Sequence, residues 1–138
     1  DVITLWHVME HLELLNETWE LLHSILSDKG ILIIAVPNSS SFDAHRYGEY
    51  WAAYDVPRHL WHFTPDTMQR FGAKHGFILA ARHPMPFDAF YVSMLSEKNM
   101  NRRFYFLRGM AAGMMAWLAA LTKKERSSSM IYVFRKKR

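Results

Sequence analysis

Cysteine is absent from the chain. That excludes disulfides, thiolate zinc sites and thiol nucleophiles, and it accords with a cytoplasmic setting. Glycine is scarce, with six in 138 residues, and no G-x-G triplet occurs. A glycine-rich turn that brings backbone N–H groups to a phosphate is therefore missing from these residues. Acidic side chains are the minority charge, 13 against 17 basic, for a net charge of +4. The excess collects in 123–126 and 135–138, where a solvated end that keeps the chain soluble is the plainest reading. No basic-aromatic nucleic-acid motif is visible, so nucleic acid is not an expected partner. Long apolar runs are also few. Residues 104–121 are largely apolar, but Arg108 and Gly109 interrupt them, and their length is at the lower limit for a membrane span. Basic pairs flank the run, Arg102 and Arg103 before it, Lys123 and Lys124 after it. It could lie on a membrane surface, but a buried helix of a soluble domain is the favoured reading.

Half of the residues are hydrophobic and 14% are aromatic. That composition suits one globular domain with a moderate core. Apolar periodicity predicts strand, helix, strand, irregular insert, helix, strand, a long helical region and a last strand, an alternation that points to an α/β sheet. Residues 1–6, DVITLW, alternate as a strand. Asn16 can cap a helix over 17–27 whose buried face is Leu15, Trp19, Leu22 and Leu26, with Gly30 suited to a left-handed stop. ILIIAV at 31–36 is continuous, as in a strand covered on both faces. Thr64 and Pro65 start a helix that runs to His75 and ends at Gly76. The third strand is expected over 77–82. A helical region over 87–122 breaks near 99–101, and Ala111, Ala112, Gly113 and Ala116 offer a small-residue face for close packing. Residues 127–129 read as a linker before a strand over 130–134. Three parts follow: a strand-helix-strand core (1–38), an aromatic and histidine-rich insert (39–63), and the remainder (64–138). The insert is long and aromatic enough to be read as functional.

His7, Glu10 and His11 spell H-x-x-E-H. In zinc hydrolases that spacing puts two histidines on one helical face, with the glutamate as general base. Here the preceding alternation places His7 at a strand end, which argues against a helical zinc site, and no third ligand can be assigned.

Four segments in order carry a resemblance: DVITLWHVMEHL (1–12), LSDKGILIIAVPN (26–38), DVPRHLWHFTP (55–65) and Gly76-Phe77. Together they resemble the class I S-adenosylmethionine-dependent methyltransferases, in particular the ubiquinone-biosynthesis O-methyltransferase-like family. The match covers 1–82 well and the last strand as well. It implies the C-terminal half of a Rossmann-like seven-stranded α/β sheet, in the order 4-5-7-6 with the last strand antiparallel. The glycine-rich loop and acidic ribose ligand of that family have no counterpart in this chain. The resemblance thus reads a strand at the first residue as a start inside a domain, and a chain that alone binds S-adenosylmethionine weakly and is inactive.

The same resemblance implies roles. Trp6 and His7 would lie beside the cofactor. His11 is the natural general base for methyl transfer to a hydroxyl, since an imidazole titrates near neutral pH, and His7, His59 and His62 compete with it. Glu10, Asn38, Tyr47, Trp51, Arg58, His59 and His62 are expected around a small-molecule acceptor. Arg58 could bind an anionic group or pair with Asp55 and hold the loop shut. Glu10 and His11 match a pair that holds a divalent metal in some relatives, but His7 stands where those carry an acid, so no metal is assigned. Strand 1–6 would be a bare sheet edge, which predicts a homodimer through it. A non-catalytic dimerisation module is the alternative function.

Overall fold

A computed structural model describes residues 1–137. β1 (Val2–Trp6) and β2 (Ile31–Pro37) are parallel and joined by α1 (Leu15–Ile25). After an excursion that includes α2 (Phe42–Tyr47), α3 (Pro65–Lys74) leads to β3 (Phe77–Met85). Two packed helices, α4 (Asp88–Asn99) and α5 (Tyr105–Thr122), precede β4 (Ser129–Lys136). The sheet order is β1-β2-β4-β3, with β4 antiparallel to both of its neighbours. This is the 4-5-7-6 arrangement expected from the sequence.

Burial explains the strand patterns. β2 is central, and Leu32, Ile34, Ala35 and Val36 are all fully buried, so its apolar run is continuous. β1 pairs on one side and alternates, with Val2 and Trp6 exposed. The main core lies where α1 and α3 cover the sheet. Trp19 is fully buried there, with ring centroids 5.3 Å from Phe134 and 5.4 Å from Phe77, both edge-on.

Local signals held at α3. Thr64 accepts from the Thr67 N–H at 3.1 Å, the Thr67 hydroxyl reaches back to the Thr64 N–H at 2.8 Å, and Pro65 occupies the first turn. Gly76 follows with a positive φ of 79°. Elsewhere the expected caps did not form. α1 starts at Leu15, its cap position is Leu14, and no side chain caps it. Asn16 lies inside the first turn, where its Oδ1 accepts from Lys74 Nζ at 2.9 Å and His75 Nε2 at 3.2 Å. Gly30 is not left-handed. It is needed for close approach, because a Cβ there would meet Leu26 at 2.7 Å and the Ser27 carbonyl at 2.9 Å. Residues 127–129 are no solvated linker: all three serines are buried, and Ser129 opens β4.

The insert over 39–63 is more ordered than its lack of period suggests. Ser41 caps α2 by accepting from the Ala44 N–H at 3.1 Å, and two short 3-10 turns follow. A parallel bridge between Asn38 and Phe63 closes the excursion. Tyr47, Trp51 and Ala53 of the insert form a second, smaller core with Val92 and Ala112.

The break between α4 and α5 falls at 100–104, with Asn101 and Phe104 left-handed. The helices pack closely through Gly109 and Gly113, whose Cβ atoms would stand 2.4 Å from Met94 Cα and 2.7 Å from Phe90 Cα. Ala112 and Ala116 share that face, but Ala111 points to solvent. The expectation of a buried α5 holds for one face only, since Leu107, Met114, Leu118 and Leu121 are exposed. Among the described residues no helix is long and apolar enough to cross a membrane.

Candidate functional site

A cavity of about 450 Å³ opens where β1 and β2 end, bounded by His7, Pro37, Asp55, Arg58, His59 and Asp88. Carboxyl ends of parallel strands are where α/β sheets bind ligands, because the chain must diverge there. His7 makes the turn. Its φ is 51°, uncommon for a residue with a side chain, and its N–H donates to the Ala35 carbonyl at 2.9 Å. The imidazole then stands between two acids, Nδ1 3.2 Å from Glu10 Oε1 and Nε2 3.5 Å from Asp88 Oδ2. Interaction with Asp88 and then with Glu10 raises its pKa to about 9, although burial opposes this. Glu10 makes the shorter contact, and the two carboxylates together hold the proton. Burial pushes Asp88 upward, but bonding to His7 and Ser129 outweighs it and leaves its pKa lowered.

Beside this lies a second group. Glu10 is fully buried, and its Oε2 has no hydrogen-bond partner. His11 Nδ1 is 3.0 Å from the Arg58 carbonyl, and His59 Nδ1 is 2.8 Å from the Ala53 carbonyl. A carbonyl only accepts, so both histidines donate through Nδ1, an arrangement that in the neutral ring makes Nε2 the acceptor. The two rings meet edge-on with centroids 4.6 Å apart. Ligand atoms of Glu10, His11 and His59 all lie within 4.8 Å of one another. One oxygen and two imidazoles so grouped can accept a proton or share a divalent ion. His7 stands outside this trio, and a strand-end turn and a 3-10 turn over Met9–His11 carry the H-x-x-E-H residues. The helical zinc arrangement is therefore not formed.

Residues 1–81 match the family described as a methyltransferase domain. The chain belongs to that methyltransferase family. Solved structures of the same fold include the [4+2]-cyclase SpnF, with TM-score 0.59 and 13% identity over 99% of this chain and 49% of that one. The cyclopropane synthase MmaA2 from Mycobacterium tuberculosis aligns with TM-score 0.55 and 16% identity over 99% of this chain and 55% of that one. The Haemonchus contortus phosphoethanolamine N-methyltransferase 2, solved with phosphomonomethylethanolamine and S-adenosylhomocysteine, aligns with TM-score 0.54 and 10% identity over 100% of this chain and 33% of that one. The chain thus spans about half of the first two and a third of the last. No curated protein matches it in sequence.

The other residues expected at the site of this methyltransferase chain divide. Arg58 and His59 line the cavity. The Arg58 guanidinium is paired with Asp55 Oδ1 at 2.7 Å, which favours the loop-holding reading over an anion contact. Asn38 is not free for an acceptor. It is fully buried, its Nδ2 donates to the carbonyls of Glu125 and Ser127, and its Oδ1 accepts twice from Ser40. Tyr47 and Trp51 turn into the second core, where Tyr47 donates to Glu97 at 3.2 Å and Trp51 Nε1 to Asp43 at 2.8 Å. His62 binds the Tyr54 carbonyl at 3.0 Å and stacks edge-on with that ring, away from the cavity lining. Trp6 ends β1 with half of its surface exposed. Sequence reasoning missed Asp88, Tyr91 and Ser129. Asp88 and Tyr91 reach the cavity from α4 and Ser129 from β4, all far downstream of His7, and no local motif marks them.

Proposed function

We propose that the protein carrying this chain transfers a methyl group from S-adenosylmethionine to the hydroxyl oxygen of a small-molecule acceptor, in a cytoplasmic setting. One observation carries the reading. His11, its Nδ1 held by the Arg58 carbonyl, is grouped with a buried Glu10 that keeps one unpartnered oxygen, near the carboxyl end of two parallel strands. The residues fit a cationic cofactor on one side: two carboxylates, Glu10 and Asp88, face a single imidazolium, His7, and leave that corner net negative. When bound, S-adenosylmethionine supplies the electrophilic methyl group, and Trp6 and His7 would flank it. His11 Nε2 takes the proton of the acceptor hydroxyl as the oxygen gains its new bond. His7 keeps its own proton at neutral pH, so its part is to orient Glu10 and not to act as base. Arg58, tied to Asp55, holds the His11 ring through its carbonyl, and His59 faces the acceptor.

His11→Ala in the intact protein should lower kcat by about 10²–10⁴-fold while S-adenosylhomocysteine binding persists. An unchanged kcat would move the base elsewhere. Calorimetric titration of S-adenosylhomocysteine should give binding to the intact protein and little to this chain alone, which has no glycine-rich loop. Absence of binding to both would remove the methyl-transfer reading. For the isolated chain we also propose a homodimer through the open edge of β1, to be tested by sedimentation.

A further inference from the structure

α5 is apolar on both sides. Its inner face, Gly109, Ala112, Gly113, Ala116 and Ala120, is buried against the domain. Its outer face carries Leu107, Met110, Met114, Leu118 and Leu121, each 42–66% exposed. These positions recur every three or four residues and form one stripe along the helix. A contiguous apolar stripe of this size marks an interaction surface.

Charge identifies what covers it. Residues 102–124 contain five basic side chains and no acidic one. Arg108 is taken up by the buried Glu97, with Nε 2.9 Å from Oε2. Arg102 and Arg103 at one end and Lys123 and Lys124 at the other are exposed. Among the described residues none of these four pairs with a carboxylate. A second copy laid on the stripe, parallel or antiparallel, would bring a basic pair against a basic pair at both ends. An anionic lipid surface offers apolar depth under the stripe and phosphates for both pairs. The helix is about 27 Å long, and its inner face is already committed to α4, so it can lie flat but not insert across.

We propose that α5 docks this protein on an anionic membrane surface, with Leu107, Met110, Met114, Leu118 and Leu121 in the acyl boundary and Arg102, Arg103, Lys123 and Lys124 on the lipid phosphates. Phe104, Tyr105 and Phe106 then sit at headgroup depth, where aromatic rings partition well. Docking does not require methyl transfer, and no methyl donor or acceptor enters its test.

The test is flotation of the intact protein with vesicles of phosphatidylcholine alone and of phosphatidylcholine mixed with phosphatidylglycerol. Binding is expected only to the mixed vesicles, and weaker at high salt. Neutralising Lys123 and Lys124 to Gln should weaken it by about thirtyfold, since each surface cation is worth about one unit of kcal/mol. Leu107→Gln with Met114→Gln and Leu118→Gln should abolish it, and these exposed sites leave the core untouched. No flotation with mixed vesicles overturns the proposal. So does flotation unchanged in both variants, or self-association in solution that the triple variant removes.

Discussion

The sheet layer and the helical layer at its carboxyl edge draw on the same apolar residues and use them in opposite ways. In the sheet layer large side chains face inward, and Trp19, Phe77, Tyr132 and Phe134 are all essentially buried. In the α4–α5 layer small residues face inward and large ones face out. Glycine and alanine let the two backbones approach closely, while leucine and methionine are left exposed on α5. The first arrangement completes a core. The second makes a thin layer whose outer surface is a site of its own. Apolar content alone does not distinguish them; the size of the residue at each helical position does.

The sharpest way to break this comparison is Trp19→Ala. Losing a fully buried indole should cost about 3–5 kcal/mol and should lower the urea midpoint of both layers together, because the helical layer stands on the sheet. Gly109→Ala comes next. Its methyl would press on the Met94 backbone, for an expected cost of about 1–3 kcal/mol. Faster proteolysis within 87–126, with β2 and β4 amides still protected from exchange, is the expected pattern. Equal loss of protection in both layers would dissolve the distinction. Trp51→Phe removes the donor to Asp43, whose other oxygen already lacks a partner. The buried acid should then cost about 1–2 kcal/mol, read as a lower thermal midpoint with the cavity residues in place.

The smallest effect is the most informative about the seam between layers. His7 follows β1 and Asp88 heads α4, so their ion pair joins the two layers. The His7 pKa rises from 6.5 unfolded to about 9 folded. The stability this adds is fully present below about 6.5 and falls as pH rises through about 9. The urea midpoint should decline across that window, and His7→Gln should flatten the decline. A slope that survives the substitution would place the titrating group elsewhere. The imidazole is more than a third exposed, so solvent screening keeps the slope shallow.

Much of the sheet was legible in the sequence, because strand and helix periods and the Thr64–Pro65 start are local signals that the fold did not override. The caps read at Asn16 and Gly30 were misassigned for different reasons. Asn16 has partners distant in sequence, Lys74 and His75, whereas Gly30 is set by close local packing against Leu26 and the Ser27 carbonyl. The candidate site was half legible. His7, Glu10, His11, Arg58 and His59 were named from motif and resemblance, and they do converge. Asn38, Tyr47, Trp51 and His62 shared the same aromatic, polar stretch, but hydrogen-bond partners draw them into the scaffold. Nothing in the order of residues 39–63 separates a tyrosine that fills a core from a histidine that lines a cavity.

By itself the sequence determined the order of elements, the parallel crossover from β1 to β2 and the family, because these follow from periodicity and short motifs that act over a few residues. Only the tertiary structure decided which histidine stands between two acids, which one a backbone carbonyl holds, and which side of α5 faces water. Those depend on groups far apart in the chain, Asp88 beside His7, the Arg58 carbonyl beside His11 and Met94 against Gly109, that meet only when the layers pack.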